Sequence, residues 1–157
     1  MVRQLELRRH ARRDPVADRL SPEGRAQAED VGREAPFDYA VVFVSPAERA
    51  AETAAWILRG AGQQLPEHAV IPGLGGAGPD GGSAAAMAAG VRALLDRVPE
   101  GARGLAVSHT PLVERAADGL TGRAVAPMSE CQGLLITIDD AQEIQIEELR
   151  LGTPGPR

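Results

Sequence analysis

The sequence predicts an α/β fold, a three-layer α/β/α sandwich whose mainly parallel sheet ends in an antiparallel C-terminal hairpin. Apolar runs typical of strands alternate with segments that begin like helices, which implies a parallel sheet covered on both faces. The last two strand-like segments follow each other across a short turn, as in a hairpin. Aromatic residues make up only 3% of the chain, so Ala, Val, Leu and Ile must form the core, which favours close packing of helices on a sheet.

The strand-like segments begin with an alternating stretch around Leu5 and Leu7, and apolar runs typical of buried strands follow it. The predicted strands cover residues 4–9, 40–44, 104–108, 133–139 and 143–149, with a further short strand at 69–71. The turn of the final hairpin is predicted at Asp140-Ala141.

Two predicted helices follow serine-proline pairs. Ser21 suits the cap and Pro22 the first helical position, which predicts a helix that ends near residue 32. Ser45, Pro46 and Glu48 form a capping-box pattern, which predicts a helix over 46–60.

Two more helices are predicted in the second half of the chain. Residues 73–82 are rich in glycine and predict an irregular loop. Ser83 then caps a predicted helix to about residue 98, and Thr110-Pro111 begins another that ends near residue 119 or 122.

Length and composition limit the organisation and the partners of the chain. With 157 residues, 43% of them hydrophobic, we expect one domain over residues 1–150 and a frayed tail over 151–157. The net charge of −5 argues against a nucleic-acid binder, whose surface is basic. The chain has no lysine, which excludes a lysine nucleophile and leaves arginine, whose planar fork of donors suits phosphate or carboxylate.

Nothing in the sequence points to a membrane. No apolar run approaches the roughly 20 residues that cross a bilayer, and Arg3, Glu6 and Arg8 stand where a signal peptide would be apolar. Cys131 is the single cysteine and cannot form an intramolecular disulfide, which agrees with a reducing compartment. We therefore expect a cytoplasmic protein.

Basic and imidazole side chains follow three of the predicted strands. Arg9 and His10 follow the first strand, Arg49 follows the second, and His109 and Thr110 follow the strand over 104–108. Ligands of open parallel sheets bind beyond the carboxyl ends of the strands, so we expect these groups to meet at one edge. A cation such as Arg49 near a helix start suits a site where both face a bound anion.

The same segments resemble the histidine phosphatase, or phosphoglycerate mutase-like, superfamily. The matching stretches are 7–11 (Leu-Arg-Arg-His-Ala), 20–28, 44–54 and 107–113 (Val-Ser-His-Thr-Pro-Leu-Val). They occur in the family's order between residues 4 and 139, and the short forms are most similar to SixA-type phosphohistidine phosphatases.

The resemblance implies a phosphoglycerate mutase-like fold and a catalytic set of four residues. His10 would attack phosphorus, while Arg9, Arg49 and His109 hold the non-bridging oxygens. Main-chain N–H groups after Thr110 would add to the anion site. Two flanking arginines would lower the pKa of His10, and its second ring nitrogen needs an acceptor such as a backbone carbonyl. We expect no metal and no cofactor, because arginine supplies the positive charge and the sequence has no HExxH motif or cysteine pair.

The chain departs from larger members of the family at the proton donor. Residues 71–80 contain no acid near Gly73, where those members carry Glu or Asp, although Asp80, Glu67 and Asp14 are candidates elsewhere. Phosphohistidine needs a donor less than a phosphate ester does, so a phosphohistidine on a protein is the leading substrate. The alternatives are a small-molecule phosphomonoesterase that uses one of these acids, and an inactive phosphate- or phosphopeptide-binding module, which Ala11 in place of the family's glycine could indicate.

Overall fold

The computed structural model describes residues 1–36 and 38–151, and its strands form one six-stranded sheet. The strands are β1 (Arg3–Arg9), β2 (Val41–Val44), β3 (Glu67–Val70), β4 (Arg103–Ser108), β5 (Gly133–Ile138) and β6 (Ile144–Leu149). Their order is β3-β2-β4-β1-β5-β6, and the first four run parallel. β5 and β6 are antiparallel and form the C-terminal edge. The predicted mainly parallel sheet with a final hairpin is confirmed.

Four helices cover the two faces of the sheet. They are α1 (Pro22–Arg33), α2 (Glu48–Gly60), α3 (Ala84–Asp96) and α4 (Leu112–Thr121), and a 3₁₀ turn (Pro72–Gly75) follows β3. Leu5, Leu7 and Phe43 belong to one buried cluster with residues of α3 and α4. Leu105 and Val107 belong to a second cluster with residues of α1 and α2, so the predicted three-layer sandwich is confirmed.

Glycines let α1 and α2 pack backbone against backbone. A Cβ on Gly32 would lie 1.9 Å from the carbonyl oxygen of Ile57, and a Cβ on Gly60 would lie 1.9 Å from that of Glu29. Any side chain at either position would push the helices apart. This close contact lies near the C-terminal ends of both helices.

The sequence predicts serine caps for three helices. The caps of α1 and α3 are confirmed, and the cap predicted for α2 is wrong. Ser21 and Ser83 each accept a hydrogen bond from a backbone N–H in the first turn, at 3.1 Å. α2 begins at Glu48 rather than at Pro46, and its cap residue makes no side-chain hydrogen bond. The Ser45 hydroxyl is 2.7 Å from Nε2 of His109 instead, so it belongs to the site.

Of the predicted C-terminal tail, 151–157, only Leu151 lies within the described residues. In the described ranges, no helix has the length and apolar character to cross a membrane.

Candidate active site

The ends of three parallel strands converge at one edge of the sheet. Arg9, the last residue of β1, is in register with Ser108, the last residue of β4. The His10 N–H donates to the Ser108 carbonyl at 3.0 Å, and the Ser45 N–H donates to the Val107 carbonyl at 3.1 Å. The residues that follow the three strands therefore meet, as the sequence predicts.

Arg49 joins the two imidazoles of the site. Its Nε lies 3.3 Å from Nε2 of His10, and its Nη2 lies 3.4 Å from Nδ1 of His109. The two imidazole rings are 5.2 Å apart between centroids, in an edge-to-face arrangement. Arginine can only donate, so both of these ring nitrogens are acceptors. His109 then donates from Nε2 to the Ser45 hydroxyl.

Backbone and side-chain contacts fix the tautomer of His10. Its Nδ1–H donates to the Ala11 carbonyl at 2.7 Å, which leaves the lone pair on Nε2. The Ala11 N–H donates to Thr53 Oγ1 at 2.9 Å, and the Thr53 hydroxyl donates to the Arg49 carbonyl at 2.8 Å. His10 is only 6% exposed. A buried imidazole with a fixed, unprotonated Nε2 has the form that a nucleophile needs.

The surroundings keep both imidazoles neutral at pH 7. Burial lowers the pKa of His10; its bond to the Ala11 carbonyl works against that shift, and Arg49 and Arg9 add to it. Burial, His10 and Arg49 lower the pKa of His109 to about 4. In each case, a second positive charge would be placed in a poorly solvated site that already holds arginine.

This pKa pattern predicts that acid weakens the folded state. A histidine whose pKa is lowered on folding binds its proton more readily in the unfolded chain, so stability falls as the pH drops from about 6.5 towards about 4. We expect His109→Gln to reduce this loss, measured by urea unfolding at pH 7 and pH 5. The exposed His68 offers the control, and an equal loss in His68→Gln and His109→Gln would contradict the prediction.

Asp18 holds Arg49 in place, and the sequence reasoning missed it. One carboxylate oxygen accepts from Nη1 of Arg49 at 2.9 Å and from the Arg49 N–H at 3.1 Å. The other accepts from the Glu48 N–H at 3.0 Å, so Asp18 also caps α2 in place of the predicted Ser45. Nothing local marks Asp18 as a cap, because it lies 31 residues from Arg49 in the chain.

Arg9 reaches the same edge but bonds to a different segment. Its Nη1 donates to the Met128 carbonyl at 2.9 Å, and its Nη2 lies 3.4 Å from a Glu130 carboxylate oxygen. Its Nε is buried without a hydrogen-bond partner among the described residues. A buried guanidinium N–H without a partner is costly, and an anion that reaches it would satisfy it.

Thr110 contacts the site through Glu114, a second residue that the sequence reasoning missed. The Thr110 hydroxyl donates to Oε2 of Glu114, which also accepts from the Met128 N–H at 3.1 Å. Glu114 therefore ties the loop after β4 to the segment that holds Arg9. The hydroxyl is thus engaged, so the part of Thr110 left for a ligand is its backbone.

A cavity of about 510 Å³ opens beside Arg49 and His109, and His10 is not among its lining residues. Its described lining consists of Ser45, Pro46, Ala47, Arg49, Pro72, Gly75, Gly76, Ala77, Gly81, His109, Thr110, Pro111 and Leu112. None of these lining residues carries a carboxylate. The cavity therefore has no acid among its described residues, as the sequence suggested for the region near Gly73.

The three candidate proton donors lie in different places. Glu67 begins β3, at the opposite end of this parallel strand from the site, so its candidacy is wrong. The carboxylate of Asp14 accepts from the N–H groups of Val16 and Ala17 at 2.8 and 2.9 Å, and these bonds lower its pKa. Asp80 precedes Gly81, which lines the cavity, and both Asp14 and Asp80 stay candidates.

Metal-ligating side chains are not grouped in residues 1–36 and 38–151: no three of His, Cys, Asp and Glu lie close enough together to hold an ion.

The first half of the chain is similar to a known class of protein. The family described as the histidine phosphatase superfamily (branch 1) matches residues 5–75, which include His10 and Arg49. The chain is similar to this superfamily over these residues, and the match supports phosphatase activity. No curated protein matches the sequence.

Solved structures share the whole fold at low sequence identity. The protein histidine phosphatase SixA complexed with tungstate has a TM-score of 0.72 and 24% identity, over 94% of this chain and 96% of that chain. Bacillus stearothermophilus YhfR has a TM-score of 0.74 and 17% identity, over 95% of this chain and 98% of that chain. A phosphoglycerate mutase from Bacillus anthracis has a TM-score of 0.70 and 16% identity, over 94% of this chain and 92% of that chain. The fold is therefore phosphoglycerate mutase-like.

Proposed function

We propose that this protein is a phosphatase that works through a phosphohistidine intermediate on His10. The observation that carries the proposal is the placement of His10, whose Nδ1 lies 2.7 Å from the Ala11 carbonyl oxygen and whose Nε2 lies 3.3 Å from the Arg49 guanidinium. Phosphoryl transfer needs in-line positioning and compensation of charge on three oxygens, and fixed arginines can supply both. Arg9 and Arg49 would bind those oxygens, His109 would do so with the Nε2–H that it donates to Ser45 in the structure, and the backbone after Thr110 would extend the anion site.

The reaction has two displacements at phosphorus. In the first, the lone pair of Nε2 forms the N–P bond while the bond from phosphorus to the leaving group breaks. The Nδ1–H stays bonded to the Ala11 carbonyl, which stabilises the positive charge on the phosphorylated ring. In the second, water attacks phosphorus, the N–P bond breaks, its electron pair returns to Nε2, and a water proton passes to solvent with inorganic phosphate.

The substrate that we propose is a phosphohistidine on a protein. An alkoxide leaves poorly without a proton, and a general acid contributes about 10² to 10⁴ in rate. Imidazole departs once solvent protonates it, so a cavity whose described lining has no carboxylate suits a phosphorylated imidazole. The similar SixA structure is that of a protein histidine phosphatase, which agrees with this substrate class.

One observation favours the phosphomonoesterase alternative. Asp80 is adjacent to Gly81 in the cavity wall, from where its carboxylic acid could reach an ester oxygen. The inactive binding module is the third alternative. The cytoplasmic location and the absence of a metal requirement stay predictions of the sequence.

A single assay separates these functions. We expect the purified protein to hydrolyse a phosphohistidine peptide in excess EDTA, and Asp80→Asn to keep that rate, because arginine supplies the charge and imidazole needs no enzymic acid. Faster turnover of phosphate esters, with a fall of about 10² or more in Asp80→Asn, would favour the phosphomonoesterase. Binding of the peptide without turnover would favour the inactive module, and activity lost in EDTA and restored by Mg²⁺ would overturn the metal-free mechanism.

A further inference from the structure

A second cavity lies away from the candidate active site, between the end of α1 and the end of β6. It has a volume of about 250 Å³. Its described lining combines charged and apolar residues and consists of Glu6, Arg8, Val31, Glu34, Ala35, Pro36, Tyr39, Arg103, Leu149, Arg150 and Leu151. The proposed phosphatase mechanism uses none of these residues.

Buried charges form the floor of this cavity. The side chain of Glu6 is 3% exposed, and its Oε2 accepts from Nε of Arg8 at 2.6 Å and from the Tyr39 hydroxyl at 2.9 Å. Its Oε1 accepts from Nη1 of Arg103 at 3.2 Å. Both carboxylate oxygens of Glu6 are therefore engaged, and two guanidinium groups face one carboxylate.

Arg8 has one nitrogen left for a ligand. Its side chain is 9% exposed, its Nε is bonded to Glu6, and its Nη1 donates to the Cys131 carbonyl at 2.7 Å. No hydrogen bond from Nη2 reaches a described residue, and this atom is not among the fully enclosed polar atoms without partners. Because Arg8 lines the cavity, Nη2 is accessible from it.

The charged residues that line the cavity indicate the charge of a ligand that would fit it. Arg8, Arg103 and Arg150 line the cavity with Glu6 and Glu34, and the half-buried Glu148 also pairs with Arg150 at 2.7 Å. These three arginines and three glutamates balance, so the cavity has no net positive charge for the two charges of a phosphate monoester, and a single carboxylate on Arg8 suits it better. The apolar part of the lining suits a hydrocarbon group.

We propose that this cavity binds a small monocarboxylate, with the carboxylate on Nη2 of Arg8 and an apolar group against Val31, Leu149 and Leu151. A charge-assisted hydrogen bond to a side chain nine-tenths buried gains from the poorly solvated surroundings. The site is independent of the proposed phosphatase function.

The test is a titration followed by ¹H–¹⁵N NMR, which locates binding as well as detecting it. Pentanoate and benzoate are the probes, with pentanamide and inorganic phosphate as comparisons. We expect the carboxylates to shift the amide signals of Val31, Glu34 and Leu149, and the amide compound to shift them at least about tenfold more weakly, the value of one hydrogen bond to a charge.

Two variants make the result decisive. Arg8→Met should abolish these shifts, whereas Arg123→Met, which changes an exposed arginine outside the cavity lining, should leave them unchanged. If Arg8→Met does not fold, Ala35→Trp fills the cavity from its partly exposed rim and should abolish the shifts with Arg8 intact. Equal shifts with pentanamide, shifts confined to the His10 cluster, shifts that survive either cavity variant, or no shifts at all would overturn the proposal.

Discussion

His10→Ala is expected to lower turnover by about 10³ or more, equivalent to roughly 4 kcal/mol of activation free energy. The variant has no Nε2 lone pair, and the proposed covalent route has no other entry. Steady-state kinetics on a phosphohistidine peptide measures the effect.

Anion binding should distinguish this loss from a loss of the site. We expect tungstate affinity to fall far less than turnover in His10→Ala, because the guanidinium groups that carry the charge remain. His68→Ala is the matched control, since His68 is exposed on the edge strand β3. Near-normal turnover in His10→Ala, with a circular dichroism spectrum like that of the wild type, would contradict the nucleophile assignment.

Arg49→Ala is expected to lower kcat/KM by about 10² to 10³, the range for removal of one fixed donor from a charged transition state. Unlike His10→Ala, it should also weaken tungstate binding, because its hydrogen bonds exist in the ground state and strengthen as charge develops. Arg49→Lys should not restore the rate. An ammonium group cannot contact His10, His109 and Asp18 at once, as the planar fork does.

Two further variants place this effect at the site. Asp18→Asn should lower kcat/KM by a smaller factor than Arg49→Ala, since an amide keeps an acceptor for Arg49 but loses the ion pair. Arg59→Ala, a change on the same helix α2 at an arginine whose side chain is 71% exposed, should leave the rate unchanged. If Arg59→Ala lowered kcat/KM as much as Arg49→Ala does, the effect would come from a change in helix α2 and not from the site.

The features that the sequence could predict are those set by neighbours in the chain. Ser21 and Ser83 cap their helices within the first turn, and the strands that end just before His10 and His109 follow from local sequence patterns. A parallel sheet brings strand ends to one edge whatever the details of packing, so the meeting of the site residues could also be predicted.

The features that the sequence could not predict depend on distant contacts. A capping box at Ser45 fits the local pattern, but the hydroxyl bonds to His109, and Asp18 caps the helix from another loop. The partner of Arg9 is likewise a carbonyl, that of Met128, which any residue could supply.

β1 shows a second limit of pattern reading. Leu5 and Leu7 alternate with polar residues, a pattern that usually marks one buried and one solvated face. In the structure both faces are buried, and Glu6 and Arg8 are 2% and 8% exposed. Tyr39 and Arg103 complete the hydrogen bonds of Glu6, and no local signal connects these residues with β1.

The most direct test of the covalent mechanism is to identify the residue that becomes phosphorylated. The protein would be mixed with ³²P-labelled phosphohistidine peptide, quenched in alkali within milliseconds and mapped by mass spectrometry at high pH, where phosphohistidine survives. The mechanism predicts an acid-labile phosphate on His10 that forms and decays at rates compatible with kcat and is absent from His10→Ala. Phosphate trapped on His109, or turnover with no phosphoenzyme at any time point, would contradict it.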